Sequence, residues 1–259
     1  MLQDIIAEAW NNLLKYQTEL TYNHDLQTLS KIAGWSEVTK IVDIGCGNGY
    51  YMNKLAAKHP GKDFFGIDIS KPLIKIAKDN FQNNNKKFFN VPLESINSHI
   101  GFDFAISRLL LQHINDVNEY MNKISLLLKN NGKLTIFEAL DHSTVCTPTI
   151  PIFTQTIEKI RALQSQTNKG MKNLRTLIDC CSQHGFSVEK ISKHVYSPVS
   201  KSSKKDFVKL IYNLMLIAKY NYKIYINFTG LIHELKSWYK NNNSTAKLGM
   251  VLIVLRKEV

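Results

Sequence analysis

IVDIGCGNGY, residues 41–50, joins a short apolar run ending in Asp43 to three alternating glycines and then to a segment of helical pattern. Strand, glycine-rich turn and helix in that order suit close approach of a ligand to bare backbone. Glycine permits dihedrals that other residues avoid, and the first turn of a helix offers free N–H donors. A second apolar run, Phe64 to Ile69, carries Asp68, 19 residues past Gly49. A carboxylate at that point can accept both hydroxyls of a ribose.

The glycine spacing separates two kinds of ligand. A dinucleotide fingerprint, G-x-G-x-x-G, needs a third glycine where this chain has Tyr50. Here Gly45, Gly47 and Gly49 read G-x-G-x-G, and Asp43 stands two residues before the first. That acid suits a ligand with a cationic ammonium better than one with phosphates, which disfavours a nicotinamide dehydrogenase. The pattern D-x-G-x-G-x-G resembles the first motif of the class I (Rossmann-like) S-adenosylmethionine-dependent methyltransferase superfamily. The resemblance covers residues 38–140 and extends to KLGMVLIVLR (247–256) as the final strand. It implies S-adenosyl-L-methionine as cofactor, with Asp43, Gly45, Cys46 and Gly47 around its methionine part. Asp68 would hold the ribose and Ile69 would touch adenine.

Length and composition fit this class. The chain has 259 residues, 44% of them hydrophobic, enough for one α/β domain with insertions or at most two small ones. No run of about 18 apolar residues predicts a membrane span, and MLQDIIAEAW lacks the basic start of a secretion signal. Cys46, Cys146, Cys180 and Cys181 show no metal-ligand spacing; reduced thiols, a cytoplasmic location and no metal site are expected. Net charge is +12, carried almost wholly by lysine, with arginine only at Arg108, Arg161, Arg175 and Arg256. Nucleic-acid binders favour arginine forks, so the charge reads as a solvated surface and nucleic acid is disfavoured as a partner.

Periodicity predicts an N-terminal helix over 2–17 and a second from about Asp25 to Ala33, forming a flap over 1–36 with Tyr16 and Tyr22 as candidate lid residues. A cofactor-binding core (37–140) follows. In it helices begin near Tyr51, after Ser70 with Pro72 in the first turn, and after Asn115 or Asp116, alternating with strands. LKNNG (128–132) is read as the stop of the last of these helices, with Gly132 to Glu138 as strand five. Residues 141–203 supply a loop (141–153), two helices and a sixth strand (Ser187 to Tyr196). A helical insertion (204–245) precedes the final strand (246–259). The whole reads as a single methyltransferase domain. It is α/β, with a wound seven-stranded, mostly parallel sheet whose last strand is antiparallel.

Ligands of such sheets lie at the carboxyl ends of the strands. After strand three, PLESI (92–96) has Pro92 where the resemblance asks for an acid, leaving the Leu93 backbone or Glu94 to meet adenine. After strand four, SRLLLQHI (107–114) resembles the loop of ubiquinone-biosynthesis-like methyltransferases, which implies Ser107 beneath the cofactor and Arg108 facing the pocket. His113 is a candidate for proton transfer or a hydrogen-bonded residue at a helix start. After strand five, Glu138, Asp141 and His142 form the best acid/base cluster in the chain. Aromatics of the insertion, with Tyr212 and Tyr225 foremost, are expected to wall the acceptor pocket. The D/N-P-P-Y/F motif of amino-group methylation in nucleic acids or glutamine is missing. The chain therefore reads as a methyltransferase of a small-molecule acceptor, at nitrogen or oxygen. An RNA or protein methyltransferase and a non-catalytic cofactor-binding module stand as alternatives. The acceptor's identity, any general base and the oligomeric state stay open.

Overall fold

Strand β1 (Lys40–Ile44) sits inside the sheet, and every residue after Lys40 is buried, as a continuous apolar run with helices on both faces requires. The computed structural model describes residues 2–140, 144–166 and 171–259. Before β1 runs α1 (Leu2–Leu29). After it come α2 (Tyr50–Lys58), β2 (Asp63–Asp68), α3 (Lys71–Phe81), β3 (Lys86–Asn90), β4 (Phe102–Arg108), α4 (Val117–Leu127) and β5 (Leu128–Ala139). The second half holds β6 (Val145–Thr147), α5 (Pro151–Gln166), α6 (Met171–Cys180), β7 (Phe186–Tyr196), α7 (Lys201–Asn221), α8 (Phe228–Lys240) and β8 (Thr245–Lys257).

The strand order is β3-β2-β1-β4-β5-β8-β6, with β7 also paired to β8. Strands β1 to β5 are parallel, and β8 runs antiparallel between β5 and β7. The chain winds outward in one direction from β1 to β3 and in the other from β4, so the switch point lies between β1 and β4. Alternation along the strands divides the core. Ile41, Phe104, Ile106 and Phe137 pack on the α2 and α3 side, whereas Val42, Ala105, Leu134 and Ile136 pack against α4 and α6. A third apolar cluster joins α1, α5, α7 and α8, and in it the α7 stripe Phe207, Ile211, Met215 and Ala218 is sealed. Full burial of each large member of that stripe contributes about 1.5–3 kcal/mol.

Local chemistry sets the element ends. The Asp116 carboxylate accepts the N–H groups of Asn118 and Glu119 and starts α4. Ser200 and Ser203 form a reciprocal capping box at the start of α7.

Four sequence expectations are corrected. The N-terminal pair of helices is one continuous α1, because TELTYNHDLQTL contains no breaker and Thr18 returns its hydroxyl to the Leu14 carbonyl at 2.8 Å. The sheet has eight strands, the short β6 arising inside the span read as loop. LKNNG does not end a helix; β5 begins at Leu128, and the residues up to Lys133 bulge between the pairings Phe102–Leu128 and Phe104–Lys133. Helix α5 starts at Pro151, a residue also assigned to that loop.

Candidate active site

The glycine loop folds at the carboxyl end of β1. Gly45 and Gly47 both have positive φ, 71° and 55°. A methyl group on Gly45 would lie 2.8 Å from Leu110 Cδ1, and one on Gly47 would lie 2.5 Å from Leu14 Cδ1. The loop is therefore a bare-backbone cradle: Leu110 and Leu14 already lie against the two glycines, and neither position has room for a Cβ. Asp68, ending β2, spans it: Oδ2 accepts the Gly47 N–H at 2.8 Å and Oδ1 accepts the Ser70 N–H at 2.7 Å. Burial pushes its pKa up, opposed by those two backbone donors. Each oxygen keeps a second lone pair for a ligand hydroxyl. Ile69, 75% exposed, projects beside it.

A cavity of about 530 Å³ opens from this cradle. Gly45, Gly47, Asp68, Ile69 and Leu73 line one part, and Leu109, Leu110 and His113 line the turn after β4. Leu109 holds φ 56°, a costly conformation for leucine, at the edge of the cavity. Helix α1 lies over the loop with Trp10, Leu14, Gln17 and Thr21 facing the cavity, and Asn48 donates to the Asn11 carbonyl to hold it there. Helices α5 and α7 close the remaining side, and Met250 with Gly249 of β8 forms the floor beneath Ala139.

The residues singled out in the sequence divide between this cavity and the structure beneath it. His113 lines the cavity, its ring edge-on to Trp10 with centroids 6.0 Å apart. Asp43 is buried below the loop; burial first pushes its pKa up, with Arg108 opposing and Asp68 adding, to about 7. Cys46 does not face the cavity, because its sulfur lies over Gly66 within the core. Leu93 packs against the α4 side of the core, and Ser107 is fully buried within β4. Arg108 reaches the cavity wall, yet its guanidinium is directed to Asp25 and Thr21 of α1 at 3.3 and 2.7 Å. Glu138, 6% exposed, turns back so that Oε1 accepts the Leu111 N–H at 2.7 Å and pins the turn after β4. Asp141 and His142 lie outside the described residues.

The lid and wall tyrosines are corrected as well. Tyr22 is buried and donates to the Lys54 carbonyl, and Tyr16 packs beneath Lys209. Tyr225 is 88% exposed, and Tyr212 packs edge-on to Phe228. The insertion lines the cavity instead through Phe207, Leu210, Leu214, Ile217 and Tyr222. Spacings of three and four from Phe207 to Ile217 are a signal that periodicity could have given.

A family model described as a methyltransferase domain matches residues 36–203. Over 104 residues the chain is 33% identical to a malonyl-[acyl-carrier protein] O-methyltransferase of Acetivibrio thermocellus. That match covers 40% of this chain and only 36% of the relative's length. Among solved structures, the [4+2]-cyclase SpnF superposes with a TM-score of 0.56 at 17% identity, covering 90% of this chain and 82% of that one. The phosphoethanolamine N-methyltransferase 2 of Haemonchus contortus, solved with S-adenosyl-L-methionine, gives a TM-score of 0.52 at 19% identity over 86% of this chain and 49% of that one. Structures this distant share the fold alone, and a cyclase among them means that the sheet by itself does not choose the reaction. The match over residues 36–203 and the glycine cradle facing Asp68 show that the chain belongs to the class I S-adenosylmethionine-dependent methyltransferases.

Proposed function

We propose that the protein transfers the methyl group of S-adenosyl-L-methionine to nitrogen or oxygen of a small-molecule acceptor. The observation that carries this reading is the cavity. It continues from the cofactor cradle into a chamber of about 530 Å³ in total, roofed by α1, α5 and α7 and lined mainly by apolar side chains, the usual form of a small-molecule site.

When bound, S-adenosyl-L-methionine supplies a methyl carbon that an acceptor lone pair attacks while the carbon–sulfur bond breaks toward sulfur. The chain's own groups bind, orient and exclude water. Gly45 and Gly47 would let the cofactor approach the backbone, Asp68 would accept the ribose hydroxyls, and Ile69 would flank the adenine. Leu14, Phe207 and Leu210 keep water from the reacting atoms, so the acceptor is held in line in a dry chamber. Among the described residues, His113 is the ionisable group at the cavity wall suited to take a proton from an O–H or N–H acceptor. Glu138 and Arg108 act at one remove, holding the turn and the roof.

The test offers the purified protein methyl-labelled cofactor together with a small-metabolite extract, total RNA or a protein extract in parallel. Label is expected in the low-molecular-weight fraction. Label in RNA or protein alone would overturn the reading. Binding of S-adenosylhomocysteine without transfer to any fraction would instead indicate a non-catalytic module.

A further inference from the structure

Away from the cofactor cradle the cavity has a direction. The start of α7 lies beside the part of α1 that meets the residue after the glycine loop: Lys209 sits over the Tyr16 ring, and Glu19, one turn along α1, accepts the Tyr50 hydroxyl. From Phe207 the wall runs through Leu210 and Leu214 to Ile217, ten residues or about 15 Å of helix. Helix α5 faces it with Phe153, Ile157 and Ile160. Over this length the two walls present no charge.

The far end differs. Arg161 and Gln164 follow Ile160 on the same face of α5, and Gln164 Nε2 donates to Tyr222 Oη at 3.4 Å, just past the end of α7. Arg161 is half-buried. It has no hydrogen bond or ion pair among the described residues. The other arginine of the cavity, Arg108, is matched by Asp25. Among the described lining residues the one carboxylate is Asp68, at the cofactor end. A guanidinium held partly out of water with no counter-charge among the described residues is costly, and an anion with planar oxygens satisfies it best.

We infer that the acceptor is an elongated, largely apolar molecule with an anionic group, a carboxylate or its equivalent, at one end, and that Arg161, supported by Gln164 and Tyr222, seats this group at the end of the apolar wall. The inference rests on the small-molecule methyltransferase reading and narrows it to one substrate class. Length is set by the α7 wall, and polarity by Arg161 at its end.

The test uses three probes with equal chains: ω-hydroxydodecanoate, the corresponding diol and the corresponding amino alcohol. Each is titrated calorimetrically into the full chain saturated with S-adenosylhomocysteine, after binding of S-adenosylhomocysteine has been measured on the same sample. The hydroxy acid is expected to bind at least ten-fold tighter than the diol, and the amino alcohol more weakly than either. In Arg161→Ala the acid should lose its advantage over the diol, while Arg161→Lys keeps part of it. S-adenosylhomocysteine affinity reports independently that both variants are folded. Equal binding of the three probes, no binding of any of them, or an acid preference that survives Arg161→Ala would overturn the inference and leave the cofactor reading standing. Failure of S-adenosylhomocysteine to bind the unaltered protein would remove the methyltransferase reading and the inference together.

Discussion

Arg108 of β4 reaches Asp25 of α1 across 3.3 Å, and both side chains are almost sealed from water, at 7% and 0% exposure. The Asp25 carboxylate also accepts the hydroxyls of Thr21 at 2.9 Å and Tyr196 at 2.8 Å. The same guanidinium lies over the Tyr51 ring, 4.8 Å from its centroid. One buried ion pair thus ties the roof of the cavity to two strands of the sheet. Its contribution lies in geometry, because the desolvation of both ions offsets most of their attraction.

Removing only the cation should therefore do harm. Arg108→Ala leaves Asp25 buried without its counter-ion and is expected to destabilise the fold by about 3–5 kcal/mol. The double variant Arg108→Ala with Asp25→Ala should lose less than Arg108→Ala alone. Urea denaturation of the three proteins checks this, and an equal or greater loss in the double variant would refute the clasp.

Asp68→Ala should weaken S-adenosylhomocysteine binding by about 1.5–3 kcal/mol, the range for hydrogen bonds to a charged group. Leaving the Gly47 and Ser70 N–H donors without their carboxylate acceptor should also loosen the loop, with a smaller cost in stability. Calorimetric affinity unchanged from that of the parent chain would reject the ribose role.

Leu214→Trp fills the acceptor part of the cavity from α7, away from the cradle. Turnover is expected to fall at least ten-fold while S-adenosylhomocysteine affinity stays within about 1 kcal/mol. Tyr225→Ala, at a position 88% exposed and outside the cavity, should change neither quantity. Cofactor binding lost together with turnover in Leu214→Trp would show that α7 does not wall a separate acceptor compartment.

Asp43 predicts a pH signature. Its ordinary value is 3.8, and burial pushes the folded value up to about 7. Between these values the folded chain retains a proton that the unfolded chain has released, so this residue's contribution to stability falls as pH rises through the window and levels off above it. Asp43→Asn removes the effect. The stability difference between the two proteins should shift by at most roughly 4 kcal/mol from about pH 4 to pH 8, with the variant gaining on the parent as pH rises. A difference that stays flat would mean that the carboxyl titrates in water-like surroundings.

The parallel half of the sheet was legible because its strands are continuous apolar runs, and its helices carry ordinary starts such as Asp116. The glycine cradle was legible for the same local reason: three alternating glycines and Asp68 lie within one βαβ unit. Residues whose roles depend on distant partners were not. Glu138 reads as an exposed acid at a strand end until Leu111, 27 residues earlier, is seen to donate to it. Arg108 reads as pocket-facing until Asp25, 83 residues away, takes its charge. Tyr225 and Phe207 both look like aromatics of one helical insertion, and only the turn between α7 and α8 sends the first to solvent and the second to the cavity. Periodicity identifies a helix face without naming its partner.

The interior place of β8 has a consequence for how the chain is made. Synthesis completes β5 and, later, β7, but the strand that joins them is translated after both. Until then the Lys133–Ala139 edge of β5 offers unpaired backbone flanked by Ile136 and Phe137. A ribosome pausing ahead of Thr245 would prolong that exposure, so the nascent chain meets its greatest aggregation hazard late, when most of the cofactor cradle has already emerged.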